Sequence, residues 1–204
     1  MPATPVLIAD ANSTDGTPEI VRSFRDRLAV HVISGGLPAA GRNHGAAMAE
    51  SRYVLFLDAD IELADTSLIR RCVERMHEKN LYLVTTNILC RGSFLDRMFY
   101  WGNDFFQHLS RLYRPFSTGM FMMFDVQKFR ELGGFHEGAM FAEDYLLSQK
   151  VARDKFSIVR GGVFTTNRRF RKMGYGRVGL LFFRTAFNTN NESFFLRDHK
   201  YWTF

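Results

Sequence analysis

Apolar residues fall along the first half of the chain in short runs that alternate with stretches of helical spacing. Val6-Leu7-Ile8-Ala9, "AVHVIS" (29–34), "YVLFLD" (53–58) and "LYLVTTNIL" (81–89) have the length and composition of strands. In "YVLFLD" the apolar positions are consecutive, as in strands covered on both faces. Between them, Pro18 suits a first helical position, with Ile20, Val21 and Phe24 at helical spacing behind it. A Gly-rich loop then leads into an Ala-rich helix across 35–51, and a further helix spans roughly Ser67 to Lys79. Strand–helix alternation of this kind predicts an α/β fold with a mostly parallel sheet flanked by helices.

The second half is less regular. "SFLDRMFYWGNDFFQHLSRLYR" (93–114) predicts an aromatic-rich amphipathic helix, and "GMFMMFDV" (119–126) a strand followed by a short helix and the turn "LGGFHEG". "AEDYLLSQKVARD" (142–154) reads as a helix with an acidic first turn, favourable for its dipole. "FSIVRGGVFTTN" reads as a strand, "RRFRK" (168–172) as a basic turn, and the segment from Gly176 to Asn188 as an amphipathic helix. We expect one domain over 1–204, divided into a regular first half (1–92), a less regular second half (93–175) and a C-terminal amphipathic segment (176–204).

Composition narrows the class. The chain has 204 residues, 46% hydrophobic and 24% charged, which suits a globular domain. No run reaches the ~18 apolar residues of a membrane span. "MPATPVLIAD" lacks the basic start of a secretory signal, and Cys72 and Cys90 form no metal-ligand spacing or disulfide framework. These features predict a cytoplasmic protein. A net charge of +6 predicts anionic partners. Nucleic acid is not among them, since no groove-reading helix or RNA-binding motif is present. The 21 Phe fill an aromatic core or, alternatively, an aromatic face at a membrane.

Ligands in sheets of this kind bind beyond the carboxyl ends of the strands. Two acidic clusters stand there: "DANSTDGT" (10–17) and "FLDADIEL" (56–63). Asp58 and Asp60, one residue apart after a buried run, repel each other unless a cation lies between them. Hard oxygens at this spacing suit Mg²⁺ or Mn²⁺. The plainer alternative is a strand-end turn with one acid capping a helix. Asp10, the first polar group after its strand, could accept hydrogen bonds from a base or ribose, although "DANSTDGT" also reads as an Asx-turn and helix cap. "GRNHG" (41–45) places Arg42 and Asn43 in a loop at a helix start, where either phosphate contact or simple solvation is open to them. At most one of Glu143 and Asp144 points into a cleft, as a general base. "RRFRK" either holds a departing diphosphate or is a solvated turn.

Together these segments resemble glycosyltransferase family 2, inverting enzymes of the GT-A fold. "DANSTDGT" resembles the family's "DDGSTDGT" block, and "GRNHGAAMAESRYVLFLDAD" its "ARNxG…FLDAD" block. "STGMFMMFDVQKFRELGGFHEGAMFAEDYLLSQKVAR" resembles "G…R..F…GGFDE…EDxxL", and "RRFRKMGYG" the "RRF…G" segment. The resemblance covers about residues 6 to 176. It implies transfer from a nucleotide sugar, a UDP- or GDP-sugar foremost, to a saccharide or lipid-linked acceptor. It implies that Asp10 and Arg42 contact the nucleoside, that Asp58 faces ribose and metal, and that Asp60 binds Mn²⁺ or Mg²⁺. Asp144 would be the base, Glu143 would orient acceptor or metal, and Arg168 or Arg169 would hold the diphosphate.

The sequence departs from the family pattern twice. Ala11 replaces the second acid of "DDGS", and the strand ending "P-x-Y-N-E" that normally opens the pattern is not seen. The second departure predicts an exposed strand edge, covered by an oligomer or another partner, or else a catalytically inactive nucleotide-sugar-binding remnant. Peripheral contact with a membrane is expected from the aromatic and basic second half. A haloacid-dehalogenase-type phosphatase also uses D-x-D. It wants Thr or Val where Glu62 stands, and a later acidic pair on a strand end, whereas Glu143-Asp144 lies in a helical pattern.

Overall fold

The computed structural model describes residues 4–199 and 201; the outer ends of the 1–92 and 176–204 segments lie outside the described residues. The first half runs β1 (Val6–Asp10), α1 (Thr17–Arg22), β2 (Val30–Ser34), α2 (Pro38–Ala47), β3 (Tyr53–Leu57), β4 (Glu62–Leu63), α3 (Leu68–Lys79) and β5 (Leu83–Cys90). The second half runs α4 (Phe94–Ser110), β6 (Phe121–Asp125), α5 (Val126–Glu131), α6 (Glu143–Ser148), a 3-10 turn at Arg153–Lys155, β7 (Phe156–Thr165), α7 (Arg168–Met173), α8 (Tyr175–Phe187) and α9 (Glu192–Phe195).

The α/β class is as expected, but the ladder is mixed rather than mostly parallel. β1 pairs with β2 in parallel as a two-stranded sheet, and a second sheet has the order β3-β6-β5-β7-β4. There β5 and β7 are parallel, whereas β3–β6, β5–β6 and β4–β7 are antiparallel. Apolar runs report burial and not strand direction, so sequence pattern could not distinguish these. Among the described residues, β1 and β3 each keep one edge without a strand partner.

Alternate side chains of the larger sheet enter two cores, which explains the unbroken apolar runs. Val54, Phe56, Leu83, Met122 and Phe124 meet α2, α5 and α6 on one face. Tyr53, Leu55, Val84, Phe121 and Met123 meet Leu68, Cys72 and Met76 of α3 on the other. A third core joins the end of β5 to α4, α7, α8 and α9 through Tyr100, Phe170, Val178 and Phe195. By contrast, α1 buries nothing, and its Ile20 is 61% exposed.

Several expected boundaries shift. Arg42 and Asn43 lie inside α2, because Pro38 starts the helix four residues before Arg42. Gly41 lets that helix press onto β1; a Cβ there would sit 3.0 Å from the Ala9 side chain. The 168–172 segment is helix α7 and not a turn. α6 ends at Ser148, well short of 154, and β4 and α9 were not expected.

Where β5 and β7 lose register between Thr85 and Asn87, the Ile88 N–H turns to Asp104 of α4, at 3.1 Å from both carboxylate oxygens. Burial, partly offset by that backbone hydrogen bond, pushes the Asp104 carboxyl up to about 6. A raised carboxyl penalises the folded state above its folded pKa, and the penalty fades as pH falls through about 6 towards the unfolded value. Asp104→Asn, which keeps an acceptor for Ile88, is expected to be the more stable protein near neutral pH. Its advantage should vanish between about pH 6 and 4; parallel melting curves across that range check it.

Candidate active site

Charged side chains from four separate segments converge at the strand ends. α2 contributes Arg42, whose guanidinium donates to Asp58 Oδ1 at 2.7 Å and to Glu143 Oε1 at 2.5 Å. Arg42 is a single buried cation bridging the end of β3 and the start of α6. It also reaches the Gly119 carbonyl at 3.4 Å and lies 5.4 Å from the Phe135 ring centroid. At Gly119 a Cβ would stand 2.6 Å from the Arg42 guanidinium, so any larger residue there would displace it.

α6 starts on Ala142, which holds a left-handed φ of 56°. That conformation is costly for a residue with a side chain and is tolerated where surroundings fix it. It sets Glu143 and Asp144 into the first turn. Glu143 is buried on Arg42, while Asp144 accepts the N–H of Gly119 and, at 2.7 Å, that of Tyr145. Asp60, two residues after Asp58, pairs with Arg168 at the start of α7 at 3.0 Å. Arg169 is half-buried, stacks at 3.9 Å over the Tyr201 ring and lies within electrostatic range of Asp58, Asp60 and Asp144.

The electrostatics are those of crowded acids. Burial pushes the Asp58 carboxyl up, and Asp144 and Asp60 add to this against the opposing pull of Arg42. Burial and then Asp144 raise Glu143 to about 7, with Arg42 again pulling the other way. Burial works against Arg42's charge, but Asp58, Glu143 and Asp144 outweigh it and raise its guanidinium. Burial lowers Arg169. Four carboxyl groups thus face three guanidiniums, and two of the four, Asp58 and Glu143, hold their protons more tightly than usual.

Asp10 stands at the end of β1, one residue from the Ala9–Gly41 contact. Its Oδ2 accepts the Ser13 N–H at 3.1 Å, an Asx-turn, while Asp15 accepts the N–H and hydroxyl of Thr17. Seven of the eight expected site residues therefore surround one centre, whereas the Asp10 side chain bonds locally to Ser13. Among the described residues, no group of three or more His, Cys, Asp or Glu side chains converges to enclose a metal. Beside Asp60 a cleft of about 420 Å³ opens between Glu62, Arg91, Thr165 and Asn167.

Sequence reasoning named Asn43 as a possible phosphate contact and "LGGFHEG" as a turn, but not the bond that joins them. Asn43 donates to the Phe135 carbonyl at 2.8 Å and accepts the Phe135 N–H at 2.9 Å, clamping the 133–138 turn to α2. Gly134, at φ 65°, leaves room for that amide. The turn read from "LGGFHEG" is there, with Gly133 and Gly134 both at left-handed φ.

The mannosyltransferase PcManGT from Pyrobaculum calidifontis, solved in complex with GDP-Man and Mn2+, matches with a TM-score of 0.63 at 21% identity. The match covers 87% of this chain and 50% of that one. S. aureus TarS 1–349, solved in complex with UDP-GlcNAc, matches with a TM-score of 0.59 at 19% identity, over 79% of this chain and 49% of that one. The chain thus spans about half the length of these solved structures. No curated protein matches it. At these identities the likeness is one of fold, and the fold is GT-A. The profile of "Glycosyl transferase family 2" matches residues 2–133, well over half of the sequence. The chain belongs to glycosyl transferase family 2.

Proposed function

We propose that the chain transfers a sugar from a UDP- or GDP-sugar to the hydroxyl of a saccharide or lipid-linked acceptor, with inversion and with Mn²⁺ or Mg²⁺. The observation that supports this most is the convergence of Arg42, Asp58, Asp60, Glu143, Asp144, Arg168 and Arg169 at the strand ends. The donor set fits such a cation. Asp58 and Asp60 are hard oxygen ligands with side chains 36% and 41% exposed, which leaves coordination positions to diphosphate oxygens and water. When bound, the cation supplies positive charge to the leaving diphosphate.

The chain's own residues do the rest. Asp10 accepts a hydrogen bond from the nucleoside, and Arg168 and Arg169 hold the diphosphate as its charge grows. Arg42, fixed by Glu143, orients Asp58. Asp144 takes the proton of the acceptor hydroxyl as that oxygen attacks the anomeric carbon. The new bond forms on the face opposite the breaking bond to the diphosphate, and the configuration inverts. Backbone N–H groups of Gly119 and Tyr145 fix the Asp144 carboxylate for this role.

The first experiment is a thermal melt with UDP, GDP, CDP and dTDP, each with and without Mn²⁺. A nucleotide at ~100 times its dissociation constant adds about 2.7 kcal/mol to the folded state. One nucleotide should stabilise the protein in a metal-dependent way, and its sugar conjugates should then be turned over. Absence of any shift in folded protein would overturn the reading. For the base, Asp144→Asn should lower turnover on the order of a hundredfold while leaving the nucleotide-induced shift intact. A second reading, a nucleotide-sugar binder without turnover, is favoured by the separation of β1–β2 from the larger sheet. It predicts the same thermal shift with no sugar transfer.

A further inference from the structure

α4 and α8 lie side by side and run in the same direction. Near their first turns the Tyr175 hydroxyl donates to Asp96 at 2.8 Å. One turn on, a Cβ at Gly179 would meet the Phe99 ring at 3.4 Å. Just past their ends, Arg114 donates to Asn190 at 3.3 Å.

Both helices are apolar on the outside. On α4, Phe94, Met98, Trp101, Phe105 and Leu109 recur at helical spacing and continue to Leu112, all exposed. Trp101 is 68% exposed and Leu112 71%, while the inward positions of the same helix include buried Asp96 and Gln107. On α8, Leu180, Phe183 and Phe187 form the matching stripe, with Phe187 75% exposed, and Val178, Leu181 and Thr185 face inward. Scattered exposed apolar residues are ordinary, but two contiguous aromatic stripes mark an interaction surface.

Charge says what covers it. Arg97, Arg111, Arg114, Arg177 and Arg184 stand exposed along these helices and their ends. The two helices carry only two carboxylates, Asp96 buried and Asp104 half-buried, so the face bears a single sign of charge. A second copy docked through the same face about a two-fold axis would bring arginines against arginines. An anionic bilayer complements both features: aromatic and Leu side chains enter the interface, and arginines remain at the headgroups. Among the described residues, no helix is long and apolar enough to cross a membrane, so contact would be interfacial. We infer that the joint face of α4 and α8 docks on an anionic phospholipid bilayer.

The surface adjoins the site. Asn167, which immediately precedes Arg168 and lines the cleft beside Asp60, donates to Asp96 in the first turn of α4 at 3.0 Å. Docking would therefore hold the cleft beside the bilayer. The inference does not require sugar transfer, because a chain that turns nothing over still binds lipid if it is right.

The test is flotation of the full chain with vesicles of phosphatidylcholine mixed with phosphatidylglycerol, and separately with phosphatidylcholine alone. The protein should float with the anionic vesicles and be released by added salt. Trp101→Ser, Phe105→Ser and Phe183→Ser combined should lower binding by about tenfold or more, with melting unchanged because all three side chains are exposed. Should that variant melt early, Arg97→Gln with Arg177→Gln serves instead, keeping the aromatic face and losing the preference for anionic lipid. Failure to float with either vesicle type overturns the inference, as does equal binding to both. So does a dimer in solution that the three serine substitutions dissociate.

Discussion

Asp60→Ala is expected to abolish the Mn²⁺-dependent part of nucleotide stabilisation and to lower sugar transfer by about a thousandfold, the loss of several kcal/mol of charge stabilisation on the leaving group. The fold should hardly notice. Asp60 is 41% exposed and its ion pair is with Arg168, itself 68% exposed. A pair so open to water contributes about 0–1 kcal/mol. The variant thereby separates function from folding, which few substitutions in this cluster can do. Thermal melts with and without Mn²⁺, alongside transfer assays on the same preparation, read both. An Asp60→Ala protein that keeps its metal-dependent shift would remove Asp60 from the proposed metal site.

Arg42→Ala should have the opposite character, with stability the main casualty. Arg42 and Glu143 side chains are 14% and 5% exposed, and Arg42 also holds Asp58. Removing one partner of a buried pair leaves the other's charge uncompensated, at a cost of about 3–5 kcal/mol. For a chain of this size that lowers the Tm by on the order of 10 °C. Glu143 already titrates at about 7, raised by burial and by Asp144; losing Arg42 removes what pulls it down. The penalty is therefore largest above that pH and eases as acid protonates the carboxyl. Arg42→Ala combined with Glu143→Gln should recover part of the loss, because the Glu143 charge is no longer left uncompensated, and only Asp58 loses its cation. A double variant as unstable as the single one would show that the guanidinium acts through packing on Phe135 and not through Glu143.

Which charged residues stand at the strand ends was more legible than the helix boundaries and strand directions around them. Asp58 and Asp60 stood out because an apolar strand ran directly into them, and a strand end is where a site can form. Asp144 and Glu143 were marked by an acidic first turn. Arg42 was visible as a residue type but misplaced, since glycines on both sides suggested a loop. They serve instead to let α2 approach β1 and to open space around it, a packing constraint with no local signature. "RRFRK" looked like a turn because its charges hide the two inward residues, Phe170 and Met173, that make it a helix.

The polarity of α4 is the plainest case. Its apolar stripe at helical spacing predicted an amphipathic helix, and an apolar stripe normally faces the core. Here the core side carries Phe99, Tyr100, Asp96 and Gln107, and the stripe faces out. Periodicity gives the angle between residues on a helix and not which side of the helix meets protein.

The sequence by itself determined most of the strands and the longer helices, which residues end β1 and β3, and the family those blocks belong to. Spacing, turn chemistry and local burial are properties of neighbours in the chain. Tertiary structure alone decided strand direction, the two-core division of the sheet, the Arg42 bridge between Asp58 and Glu143, and the outward face of α4 and α8. Each depends on contacts between segments far apart in the chain; Arg42 and Glu143 are separated by 101 residues. No local pattern encodes such a contact, because its free energy exists only once both segments are folded against each other.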